Sequence, residues 1–164
     1  AKRRKTERRD QIDKLKQEAV GFGDRVNPDR ARAPKVAGCE DAVLSLLLLY
    51  PEHRQLMSDP DVLLTEQDFF TEFSKKVYRY LAECCSGPTL DVPEMNLRFT
   101  EEEIGRITEL KVMRLDLTEN GRGAFLESVT ALREAMRMHR NMTEGGTSLS
   151  DLDSLIRSLR KEDA

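Results

Sequence analysis

The chain has 164 residues, 35% of them charged and 38% apolar, with no Trp, and a net charge of −3 from 27 basic and 30 acidic side chains. That length supports one ordinary domain or two small ones whose core needs neither disulfides nor a metal, and the slight acidity excludes a uniformly basic nucleic-acid binder. Abundant Leu, Glu, Arg and Lys, without long runs of Val, Ile and Thr, predict an all-α fold.

The opening AKRRKTERRDQIDKLK sets eight Lys or Arg against three acids. Lys2, Arg3, Arg4, Lys5, Arg8 and Arg9 are its candidates for phosphate contact. No aromatic interleaves with them as a stacking platform, and charge runs of this kind are more often solvated faces. Ile12, Leu15 and Ala19 recur at i, i+3 and i+7, so a thinly anchored helix is expected. GFGDRVNPDRARAPK follows, and its Gly21, Gly23, Pro28 and Pro34 predict a connector. Its Gly-x-Gly lacks the Lys-Ser/Thr pair and the preceding strand of a phosphate loop.

From Gly38, the stretch CEDAVLSLLLLYPEH places seven apolar side chains in the eight positions from Val43 to Tyr50. A membrane helix needs roughly 20 apolar residues in succession, so a protein interior is the expected destination and no membrane contact is foreseen. Apolar positions all round predict a central helix covered on most sides. Glu40 and Asp41 are expected near its N-terminus, and Pro51 to open a short second helix, PEHRQLM. After the loop SDPDVLLTEQD, Phe70, Phe73, Val77, Tyr80, Leu81 and Cys84 mark an amphipathic helix. SGPTLDVPEMNLRF reads as irregular, pinned by Pro88 and Pro93.

Thr100 and Glu103 form a capping-box pattern that opens a helix with Ile104, Ile107 and Leu110. Asn120-Gly121-Arg122-Gly123 marks a turn, and Phe125, Val129, Leu132 and Met136 make the next stripe. Gly145-Gly146 breaks that helix. Leu149, Leu152, Leu155, Ile156 and Leu159 make the last stripe, so the final two helices are expected as a helical hairpin. Its core is thin, and leftover apolar surface would favour a partner. Folding back onto the bundle satisfies the same periodicity.

Chemistry is harder to find. Cys39, Cys84 and Cys85 are too few and wrongly spaced for a disulfide framework and suit free thiols in a reducing cytoplasm. His53 and His139 complete neither a zinc set nor a triad. Glu101, Glu102 and Glu103 read as helix-capping acids, and Met136 and Met138 as gap fillers. No catalytic residue, metal or cofactor is expected. The chain shows no signal-peptide apolar core, and a first residue Ala1 suggests a piece of a longer chain.

In order, GFGDRVNPDRARAPK, EDAVLSLLLLYPEH, DFFTEFSKKVYRYL, FTEEEIGRI and a terminal helix pair resemble the C-terminal region of bacterial replicative primases of the DnaG type. The branch found in low-GC Gram-positive bacteria is the most similar. The likeness runs over essentially the whole chain, and its most specific parts are GDRVNPDR and the FxxEFxxxVYxxL pattern from Phe69 to Leu81. It implies three parts: a basic helix and Gly/Pro linker at 1–37, a helical bundle at 38–116, and a helical hairpin at 117–164.

The implied role is non-catalytic. This region of the primase attaches to the replicative DNA helicase (DnaB type) and modulates priming and unwinding, while the zinc-binding and polymerase parts lie outside this chain. From the stripes and that arrangement, the expected helicase contact is Leu152, Leu155, Ile156 and Leu159. Phe125 and Leu126 stand behind them, and Arg157, Arg160 and Lys161 form a polar rim. The alternatives are a nucleic-acid module gripping phosphate through the basic N-terminus, and a self-associating bundle. A monomer awaiting its partner is the expected state.

Overall fold

A computed structural model describes residues 8–9 and 24–143 of the chain. Among these there are six α-helices and no strand: α1 (Pro34–Leu49), α2 (Pro51–Leu56), α3 (Glu72–Cys84), α4 (Val92–Arg98), α5 (Glu101–Leu115) and α6 (Arg122–Thr143). The fold is an all-α bundle wrapped around α1, with α6 and α5 as its most extensive neighbours.

The course of α1 follows from its composition. Val43, Leu44, Leu46, Leu47 and Leu48 are all buried, because apolar side chains on every side of a helix leave water only when neighbours surround it. The helix begins at Pro34, earlier than the expected Gly38, since proline's fixed φ and missing N–H suit a first position. Glu40 and Asp41 therefore lie inside the helix, beyond the reach of its N-terminal dipole, and take other partners.

Caps set the other boundaries. The Thr71 hydroxyl accepts from the Ser74 N–H at 3.3 Å and starts α3. The expected capping box of α5 is present: Thr100 Oγ1 accepts from Glu103 N at 3.2 Å, and Glu103 Oε1 accepts from Thr100 N at 2.9 Å. Glu103 also holds Lys76 of α3 at 2.9 Å.

The segment expected to be irregular contains α4. The Asp91 carboxylate accepts from Glu94 N at 3.1 Å, and Pro93 sits in the first turn, where proline starts a helix and does not break one. Met95 anchors this helix in the core.

The helix at 122–143, expected as the first arm of a helical hairpin, packs its stripe into the bundle, with Phe125, Val129, Leu132 and Met136 buried. An all-round apolar α1 leaves a side that this stripe covers. The second arm, 148–159, lies outside the described residues.

The Gly/Pro connector also has a fixed course from Asp24 onward. Asp24 accepts from the N–H groups of Val26 and Asn27 at 3.0 and 2.9 Å and pairs with Arg106 of α5 at 2.9 Å. Arg30 pairs with Asp41 of α1. The buried Asn27 donates to Thr71 Oγ1 at 3.3 Å, and Asp29 accepts from Glu72 N at 3.0 Å. Prolines and glycines tell where regular structure stops; they do not tell whether the polar side chains between them find partners.

This docking carries a pH dependence. Burial alone would raise the Asp24 carboxyl pKa, but the Arg106 hydrogen bond and the backbone N–H groups outweigh it and hold it below the ordinary value. A carboxyl depressed in the folded state contributes stability above its unfolded pKa, near 3.9, and loses it as pH falls through the folded value. Asp24→Asn should therefore cost about 1–2 kcal/mol at pH 7. In thermal melts by circular dichroism, the gap to the parent should close as the pH drops below about 3.9.

Candidate functional site

Of the residues expected at the partner surface, the structure describes Phe125 and Leu126. Phe125 is fully buried, its ring stacked on His53 with centroids 5.0 Å apart, so it belongs to the core. Its position at the start of the α6 core stripe explains this: it faces α1 and α2, away from solvent. Leu126 is half-buried against the same core. Leu152, Leu155, Ile156, Arg157, Leu159, Arg160 and Lys161 lie outside the described residues. Of the basic N-terminal set, Arg8 and Arg9 are helical and exposed, while Lys2, Arg3, Arg4 and Lys5 lie outside.

His53 serves the turn between α5 and α6. Its Nε2 lies 2.7 Å from the Asn120 carbonyl. The Asn120 side chain in turn donates to Leu117 O at 2.6 Å and accepts from Arg114 Nε at 2.8 Å. These contacts fix where α6 starts and bring no nucleophile to the imidazole.

Two buried charged groups organise the interior. Glu40 is fully buried and accepts from Phe70 N at 2.6 Å, Thr71 N at 3.2 Å, Thr71 Oγ1 at 2.7 Å and Ser74 Oγ at 3.0 Å. It thereby ties α1 to the start of α3. Arg54, 8% exposed, donates to five carbonyls: Leu47 and Leu48 at the end of α1, Cys85 at the end of α3, and Gly87 and Pro88 beyond it. Helix C-termini carry partial negative charge, so two of them converging make a site for a cation without any carboxylate.

Sequence reasoning read Glu40 as a dipole partner and passed over Arg54. For Glu40 the available signal was an acid, beside Asp41, just ahead of an all-round apolar run; Arg54 has none in the side-chain pattern.

On the outside, large apolar side chains gather in two places. Val112, Met113, Leu115 and Leu117 are exposed at the end of α5 and in the turn after it. Met138 and Met142 are exposed on the last turns of α6. A groove between the α5–α6 turn and α6, lined by Arg114, Leu117, Ala124, Ser128 and Ala131, runs from the first patch along α6. The exposed side chains at the end of α5 suit contact with another apolar surface, whereas the groove also carries Arg114, Glu119 and Glu127.

Cys39, Cys84 and Cys85 are free thiols. Among the described residues no group of three or more His, Cys, Asp or Glu could hold a metal ion, and no helix is long and apolar enough to cross a membrane. Comparisons with protein-family models, curated proteins and solved structures give no match to this chain.

Proposed function

We propose that this chain is a non-catalytic attachment module of a DnaG-type primase, one that binds the replicative DNA helicase (DnaB type), brings primase to the fork and modulates both activities in the cytoplasm. The observation that carries the reading joins two parts of the sequence. GDRVNPDR and the FxxEFxxxVYxxL segment bear the resemblance, and they meet in the fold: Asn27 bonds Thr71, Asp29 caps the N–H of Glu72, and Glu40 gathers Phe70, Thr71 and Ser74. Asn27 and Asp29 of the first stretch thus hold the start of the helix that bears the second, through the Thr71 hydroxyl and the Glu72 N–H, which supports reading the two together.

The mechanism is tethering. Attachment through the leucine-bearing terminal segment turns a chance encounter between polymerase and DNA into a local one, at an effective concentration that can reach roughly millimolar. A second reading, phosphate contact through the basic N-terminus, draws on the exposed Arg8 and Arg9. It differs in salt response, since phosphate binding weakens steeply as salt rises and an apolar interface does not.

The test is co-elution with a helicase from a low-GC Gram-positive bacterium. Because α6 is part of the core, the truncation has to fall after Thr143; a cut at 117 would remove Phe125, Val129 and Leu132 and unfold the bundle. The expected result is binding by the whole chain at high salt, and its loss on removing 144–164 or on Leu155→Asp, with helical circular dichroism of the bundle unchanged. Full binding by the truncated chain would remove the terminal segment from this role.

A further inference from the structure

Where α3 starts and α6 finishes, the bundle has a charged cleft that tethering does not use. Arg133, Arg137 and Arg140 stand at i, i+4 and i+7 on α6, a basic row about 10 Å long. Arg32 of the connector, Lys75 of α3 and Arg140 line a cleft of about 430 Å³. A second hollow of about 230 Å³ continues it along the row, past the turn Glu66–Asp68, and shares Gln67, Met136 and Arg140 with it. Together the two carry five Lys or Arg against three acids, Asp29, Asp68 and Glu72, in a chain whose net charge is −3. A basic stripe along a helix is the footprint of a surface that follows phosphates.

The ion pairs around the cleft leave most of these cations available. Arg137 pairs with Glu134, Arg32 with Asp29 and Lys75 with Glu72, and in each pair at least one side chain is more than half exposed. Exposed pairs contribute little, so a phosphate replaces the carboxylate at small cost. Arg140 is exposed and pairs with no acid among the described residues. Arg133 is different: Asp68 and the Val62 carbonyl tie it down, and it closes the far end of the row.

Cations alone would make only an electrostatic surface, but the cleft also has a ring. Phe70 is half-buried there, with the His139 imidazole edge-on at 4.8 Å between centroids and the Arg32 guanidinium over its face at 5.5 Å. A nucleobase can take that face, because every base presents a π surface, and Arg32 then turns to phosphate. The basic N-terminus has no such ring.

We propose that this cleft binds single-stranded nucleic acid, with the backbone along Arg137 and Arg140 and a base on Phe70. A duplex suits it less, because paired bases are stacked on one another and do not splay out onto an aromatic side chain. The cleft is separate from the terminal leucines and from the basic N-terminus, so it stands whether or not either of those binds.

Fluorescence anisotropy of a labelled oligothymidylate with the whole chain, and no helicase present, tests it. Arg140→Glu should weaken binding at least about tenfold and flatten the slope of log affinity against log salt by about one. Its helical circular dichroism should match the parent's, since the side chain is exposed. Phe70→Leu keeps an apolar side chain in the cleft and should weaken binding about fivefold. The same strand annealed into a duplex should bind less tightly than when free. Replacing Lys2, Arg3, Arg4 and Lys5 with Gln should leave the Arg140 effect in place. No binding at low salt, or binding that Arg140→Glu does not change, would overturn the proposal. Loss of all binding on replacing the N-terminal cations would overturn it in favour of phosphate contact there, and duplex binding as tight as single-strand binding would remove the base from Phe70. Equal competition by polyglutamate would also overturn it, by assigning the cleft to an acidic polypeptide.

Discussion

Glu40→Ala should lower the melting temperature by roughly 10–20 °C, the largest effect of any single polar substitution in the molecule. The carboxylate accepts four hydrogen bonds in a place that water does not reach. Without it the two hydroxyls still have each other, since Thr71 Oγ1 and Ser74 Oγ are 2.8 Å apart. The N–H groups of Phe70 and Thr71 have nothing. Each stranded donor costs about 1–3 kcal/mol, a large part of a typical domain's stability of about 5–15 kcal/mol.

Glu40→Gln separates charge from shape. Burial pushes the Glu40 carboxyl up and the four donors pull it back, with the balance staying above the ordinary value. A carboxyl raised in the folded state contributes stability that is fully present below its unfolded pKa and is lost as pH rises through the folded one. Glutamine has no such dependence. The deficit of Glu40→Gln in thermal melts should therefore be greatest in acid and shrink as the pH rises above about 4.3.

The second large effect is at Arg54. Arg54→Met keeps most of the apolar stem but leaves carbonyls of Leu47, Cys85, Gly87 and Pro88 without their shared donor, at an expected cost of about 3 kcal/mol. Arg54→Lys is no rescue, because a single ammonium cannot span acceptors that a planar fork reaches together. Both variants should speed amide exchange first around residues 85–90, which the guanidinium pins to the end of α1. A variant whose exchange rises uniformly across the bundle would show that Arg54 does not act on that loop.

Much of this architecture was legible in the sequence. The all-round apolar run from Val43 to Tyr50 could only be a central helix, and the three- and four-residue spacing of Phe73, Val77, Tyr80 and Leu81 fixed the face of its neighbour. The Thr100–Glu103 box was readable because both of its bonds lie within one turn.

What escaped depends on long-range partners. Pro93 alone reads as a breaker, and only the Asp91 cap two residues before it turns it into a helix start. The fixed course of the connector is not legible in its own sequence because Arg106, its main partner, is 82 residues further on. Phe125 was assigned to a partner surface because periodicity gives the spacing of a stripe and not the object it faces. Arg54 offered least of all: carbonyl acceptors belong to every residue, so a cation that uses them leaves no trace in the pattern of side chains.

The ion pair between Asp24 and Arg106 has a mechanical corollary. Together with Arg30 and Asp41, it fastens the incoming polypeptide to the waist of the assembly, at α5 and at the first half of α1. A tug from residues preceding Asp24 meets two electrostatic latches in parallel before it can peel any helix away, so tension arriving from that direction is spread across the molecule as shear.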